Sequence, residues 1–142
     1  MTSFEIAVAQ PGDTDAFWRA HERDARSEQW KFRVIWHEQT HDIVARIGDD
    51  VVGALRGRIA ASLAHVETLY VLPAHRRGGI GRALLTRHEE LGNYYNCHKV
   101  SAGVMNESDA QRFFEACGYK VEAVLRQHTF KLDVAMLRKF LL

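Results

Sequence analysis

Apolar and polar residues alternate along this chain with two different periods, and the switches between them mark its elements. Residues 4–10 (FEIAVAQ) alternate with period two and carry β-formers, which predicts a strand ended by Pro11-Gly12. Asp13 is placed to cap a helix reaching about residue 28, with Ala16, Phe17 and Ala20 on one face. Over residues 29–41, Trp30, Phe32, Val34 and Trp36 alternate in a way that fits a strand or a short helix equally. Residues 42–48 and 51–61 predict two strands joined by a turn at Gly48-Asp49-Asp50. A fourth strand follows at 64–72, ended by Pro73, and then a helix over 80–92 with Ile80, Ala83, Leu84 and Leu91 at helical spacing. KVSAGVM (99–105) predicts a strand with Val100, Ala102 and Val104 on one side. Ser108-Asp109-Ala110-Gln111 is a capping-box sequence ahead of a helix face made by Ala110, Phe113, Phe114 and Cys117, stopped at Gly118. Residues 119–127 and 129–140 predict two closing strands. The order β-α-(α)-β-β-β-α-β-α-β-β places the chain in the α/β or α+β class around a mixed sheet.

Composition narrows the function classes. No repeat, low-complexity tract or Pro/Ser-rich linker divides the 142 residues, so one domain over 1–142 is expected, and 46% hydrophobic residues suffice for one core. The net charge of +1 supplies no global field toward nucleic acid or an anionic membrane, and neither is an expected partner. No run of 18 apolar residues suggests a membrane span, and the N-terminus lacks the basic start and long apolar run of a secretory leader. Cys97 and Cys117 lack CxxC spacing, so the expectation is free thiols in a reducing cytoplasm.

The strongest chemical signal is Arg76-Arg77-Gly78-Gly79-Ile80-Gly81, which follows a predicted strand and opens a predicted helix. Three glycines allow a sharp turn and close approach to a ligand. The first helical N–H groups have no internal partner and sit at the positive end of the dipole, so they suit a pyrophosphate, with Arg76, Arg77 and Arg82 adding charge. A Walker A loop is excluded because no lysine follows Gly81. A dinucleotide fingerprint is excluded because Leu84 stands at its third glycine. The plainer reading is a strand-to-helix turn with solvated basic residues at its rim.

Arg76-x-x-Gly79-x-Gly81 resembles the [Q/R]-x-x-G-x-[G/A] signature of GCN5-related N-acetyltransferases (GNAT). Thr68-Leu69-Tyr70-Val71-Leu72-Pro73 looks like that family's fourth strand, and Phe113-Phe114-Glu115-Ala116-Cys117-Gly118-Tyr119 resembles its "FYxxxGF" helix end. The resemblance extends from residue 4 to about 141. It implies the GNAT fold, a mixed and mostly antiparallel sheet of about seven strands with helices on both faces. It also implies transfer of an acetyl group from acetyl-CoA to a primary amine by direct attack in a ternary complex. By resemblance, Arg77, Gly78, Gly79, Ile80 and Gly81 offer backbone N–H groups to the coenzyme A pyrophosphate. Leu69, Tyr70 and Val71 belong to the strand whose Leu69 and Val71 backbone pairs with the pantetheine arm, and Asn106 bonds that arm from the other side. The family's C-terminal strand often reaches a partner subunit, so a homodimer is possible.

An ammonium must lose a proton before its nitrogen can attack a thioester. Glu67, on the fourth predicted strand, is the favoured base, with His65 as partner or substitute. Strict alternation would put His65, Glu67 and Leu69 on one face. The plainer readings are an arginine-paired surface carboxylate and a hydrogen-bonded structural histidine. The oxyanion would take the N–H of Leu69 or Val71. Phe114 stands where the family often carries a tyrosine acid, and that departure motivates an alternative, a CoA-binding sensor with little turnover. Trp30 and Trp36 fall where the family builds its acceptor pocket, although core packing is the bland alternative for this aromatic group.

His37-Glu38-Gln39-Thr40-His41 spells HExxH, in which a helix turns two histidines toward one zinc. The segment runs into strand-like DIVARI, and Val44 and Ile47 break the extended form of the motif. A zinc protease is therefore the disfavoured alternative, and no metal cofactor is expected.

Overall fold

The computed structural model describes residues 3–141, which divide into two units, one ending at Trp36 and one beginning at His37. The first unit holds α1 (Asp15–Trp30). It starts after Thr14, and the Asp13 carboxylate accepts from the Gln10 N–H at 3.1 Å, closing the preceding turn in place of the expected helix cap. Lys31 ends the helix in the left-handed conformation, its N–H donating to the Ser27 carbonyl at 2.9 Å. Residues 4–10 form no strand, contrary to their alternation. A strand exists only in a ladder, and among the described residues of this unit there is none to pair with. The ambiguous stretch 29–41 splits between the end of α1, an irregular passage, and a strand beginning at Glu38 rather than a second helix.

Among the described residues, the second unit holds a six-stranded sheet, one strand fewer than expected. Its strands are β1 (Glu38–Ile47), β2 (Asp50–Ala60), β3 (Leu63–Val71), β4 (Lys99–Met105), β5 (Lys120–Thr129) and β6 (Leu132–Phe140), in the order β1-β2-β3-β4-β6-β5. Only β3 and β4 run parallel. The β1–β2 turn is two residues long, Gly48-Asp49, since Ile47 pairs with Asp50. Helices α2 (Ile80–Tyr94) and α3 (Asp109–Ala116) bury their apolar residues in one cluster with Leu55, Ala64, Val66, Val100 and Leu137, so both cover the same sheet face. Leu55, Leu85 and Leu137 are at most 1% exposed, and each such burial stabilises the fold by roughly 1.5–3 kcal/mol. Ser108 caps α3 as its sequence predicts, accepting from the Gln111 N–H at 3.2 Å. Among the described residues, no helix is long and apolar enough to cross a membrane.

Two details of register matter for the site. Gly57 pairs with Val66 and Arg56 with Thr68, so Glu67 is the extra residue of a β-bulge. The bulge reverses the alternation. Ala64 and Val66 face the core before it, and Leu69 and Val71 pack on that same core after it. The expected common face of His65, Glu67 and Leu69 is thereby lost. The HExxH stretch is also not helical, because Glu38–His41 lie in β1, where period-two geometry replaces the one-face spacing a zinc site needs.

His41 instead meets His88 of α2 over the glycine backbone of Gly57, Nε2 to Nδ1 at 2.9 Å. His88 is fully buried, and burial pushes its pKa down from 6.5 to about 4. In the unfolded chain it takes up a proton that the folded state refuses, so stability is complete above pH 6.5 and falls as pH drops toward 4. Equilibrium urea unfolding should show about 2 kcal/mol lost between pH 6.5 and 5. His88→Met should flatten that slope; an identical slope in the variant would contradict the assignment.

Candidate active site

The parallel ladder between β3 and β4 has only four rungs, Leu63–Lys99 through Val66–Ala102. Beyond them the strands fork. The Leu72 N–H donates to the Val52 carbonyl at 2.9 Å, so the alternation of an antiparallel pair turns the main chain of Val71 away from β2 and toward the fork. Leu69, two residues earlier and also past the bulge, is turned the same way. Leu69 and Val71 thus present unladdered backbone along one arm. Asn106, just past the end of β4, lies on the other arm, its N–H donating to the Asp133 carbonyl at 2.9 Å.

A cleft of about 610 Å³ opens beside β3, lined by Leu69, Tyr70, Val71, Arg76, Arg77, Gly79, Ile80, Gly81 and Arg82. Of the residues proposed from sequence for the donor, only Gly78 and Asn106 are absent from its lining. The loop into α2 needs left-handed backbone at two places, Arg77 (φ 66) and Gly79 (φ 88), and Gly79 takes its own at no steric cost. A Cβ on Gly79 would meet nothing within 4 Å, so this residue faces open space. Gly81 is small for a different reason: a Cβ there would lie 3.2 Å from the Phe113 ring. The N-terminus of α2 has no side-chain cap and no acidic residue in its first turn. Its first N–H groups and the positive end of its dipole are therefore left to a ligand.

The arginines divide their roles. Arg76 donates through Nε to the Val71 carbonyl at 2.9 Å and lies over the Tyr70 ring at 5.2 Å, tying the loop to the strand end. Arg82 donates to the Ala116 carbonyl at 3.0 Å and closes the end of α3. Arg77 and His75 also line the cleft, as does Asp109. Sequence reasoning missed His75, and it missed Phe113 as a cleft wall. Phe114 and Tyr119 stack edge-on at 5.2 Å; Phe114 is 4% exposed yet reaches the cleft, and Tyr119 is core, its hydroxyl donating to Glu89 at 2.8 Å.

On the opposite sheet face, Glu67 lies 3.3 Å from Arg58, which also holds Glu38 at 3.2 Å. His65, the rung below, faces Ser101 across the parallel ladder with Nδ1 and Oγ 2.9 Å apart. Burial pushes the His65 pKa down; Glu67 pulls it back up and Arg58 lowers it further. The ring is accordingly neutral near pH 7. A small pocket of about 110 Å³ opens against His65, Ser101 and Arg58. Trp30 and Trp36 belong to the first unit: Trp30 ends α1, and Trp36 lies under the Arg26 guanidinium at 3.7 Å. Among the described residues, no group of three or more His, Cys, Asp or Glu side chains is placed to hold a metal.

The family model described as the acetyltransferase (GNAT) family matches residues 12–119. No curated protein matches the chain. Among solved structures, a protein from Agrobacterium tumefaciens described as an acetyltransferase is similar with TM-score 0.71 and 23% identity, over 98% of this chain and 99% of that one. An acetyltransferase from Bacillus cereus ATCC 14579 gives 0.70 and 15%, over 96% and 98%. A protein from Bacillus anthracis str. Ames described as a streptothricin acetyltransferase, in complex with acetyl coenzyme A, gives 0.67 and 16%, over 71% and 62%. These likenesses are of fold. The family match spans most of the chain and takes in both the glycine turn and the Phe113–Tyr119 helix end, so this chain belongs to the acetyltransferase (GNAT) family.

Proposed function

We propose that this chain transfers the acetyl group of acetyl-CoA to a primary amine, with both substrates bound together. The observation that carries the reading is the uncapped, acid-free N-terminus of α2 opening on the same cleft as the unladdered backbone of Leu69 and Val71. One end suits a pyrophosphate, and the other suits an amide-bearing arm laid along a strand. In this arrangement Arg77, Gly78, Gly79, Ile80 and Gly81 hold the phosphates, Arg76 and Arg82 brace the loop, and Asn106 borders the arm from β4. Acetyl-CoA supplies the activated thioester. The chain orients its carbonyl by the Leu69 or Val71 N–H and accepts a proton from the amine through the Glu67–His65 pair at the fork. Phe114 offers no proton to the leaving thiolate, which as a fair leaving group departs to water.

The likeness to a structure holding acetyl coenzyme A supports the same donor here. Thiol release measured with acetyl-CoA across a panel of amines tests the reading. Amine-dependent release is the expected result. Donor binding without any such release would favour the sensor alternative that Phe114 motivates.

A further inference from the structure

We propose that Ser101 is a positioning residue that fixes His65 with its proton on Nδ1, leaving Nε2 as the atom that takes the proton from the acceptor amine. This inference rests on the acetyl-transfer reading above and names the proton acceptor within it.

Three observations carry it. First, the His65–Ser101 contact at 2.9 Å lies on the rung next to the last one, immediately below the point where β3 and β4 part. In the acetyl-transfer reading, the reacting end of a donor laid in the fork lies toward this pair. Second, the imidazole is held at one nitrogen only. Nδ1 meets the Ser101 hydroxyl, whereas among the described residues Nε2 has no partner, and the ring borders the 110 Å³ pocket. Third, the alternative base is already engaged: the Glu67 carboxylate faces the Arg58 guanidinium, itself shared with Glu38. A carboxylate is by its ordinary pKa a weaker base than an imidazole, and this one already has a cation partner. The charged groups facing His65 are Arg58 from β2 and Glu67 from β3, and across the sheet His88 of α2 is close enough to be influenced by it. Glu67 favours the imidazolium that forms, so its place beside His65 is that of a stabilising anion.

The ammonium gives one proton to His65 Nε2, and the freed nitrogen lone pair forms the C–N bond as the C–S bond breaks. The thiolate leaves with the electron pair, and the second amine proton neutralises it through solvent. With its hydroxyl oxygen accepting from Nδ1–H, Ser101 favours both the reactive tautomer and the imidazolium.

Ser101→Ala should lower kcat about tenfold, part of the ~10²–10⁴-fold that a positioned general base contributes, with KM for acetyl-CoA unchanged. Ser101→Thr, which keeps the hydroxyl, should restore it. Nitrogen-15 NMR of His65 should find the proton on Nδ1 in the wild-type protein and moved to Nε2 in Ser101→Ala, and the acid limb of the pH–rate profile should shift with it. Loss of rate with an unmoved tautomer and limb would reduce Ser101 to a strand fastener and overturn the inference alone. Absence of amine-dependent thiol release from the wild-type protein would overturn the acetyl-transfer reading and this inference with it.

Discussion

Gly79→Glu should weaken acetyl-CoA binding at least about 100-fold, because it sets a carboxylate where the helix dipole and open N–H groups favour an anion. The fold offers no steric objection, since a Cβ at this position meets nothing within 4 Å. The backbone does object: φ of 88° costs any L-residue roughly 1–2 kcal/mol. Gly79→Ala carries that same strain without the charge and serves as the control. The two variants should melt at similar temperatures while differing by an order of magnitude or more in donor affinity. Equal affinities would show that the loop is merely strained by substitution and does not hold phosphate.

The second large effect concerns stability. A Cβ on Gly57 would stand 2.5 Å from His88 Cε1, 2.7 Å from His88 Nδ1 and 2.8 Å from His41 Nε2. The His88 ring cannot retreat cheaply, because it is fully buried between α2 and the sheet. Gly57→Ala should therefore cost about 1–3 kcal/mol through overpacking and lower Tm by roughly 5–10 °C. Pairing it with His88→Ala should recover part of the loss, since the smaller side chain vacates the space the new methyl requires. Strict additivity of the two changes would mean that they do not share the site.

How far the sequence was readable follows from the range of each interaction. Lys99–Met105 and the Ser108 cap coincide with their sequence expectations because alternation and capping are settled within a few residues. The glycine loop was readable for the same reason: its backbone angles, uncapped helix start and clustered arginines are all local. Residues 4–10 carry an equally clean alternation and yet form no strand, because a strand is defined by a neighbour that local pattern does not supply. The common face expected of His65, Glu67 and Leu69 failed differently. One extra residue in β3 reverses its face pattern, and only pairing against Arg56 and Gly57 reveals that residue. The His41–His88 pair joins positions 47 apart in sequence, beyond the reach of any local pattern. A signal was present in Gly57, a glycine inside a strand, which often marks a close approach by another group. The Ser101 contact with His65 crosses a parallel ladder and had no sequence signature at all.

A grip of the fork and the α2 loop on one thioester donor is read directly by isothermal titration of the purified protein with acetyl-CoA. A saturable heat with one donor per chain, absent in Gly79→Glu, is the result that grip predicts. A folded protein that evolves no binding heat with acetyl-CoA, or a Gly79→Glu variant that binds as well as the original, would contradict it.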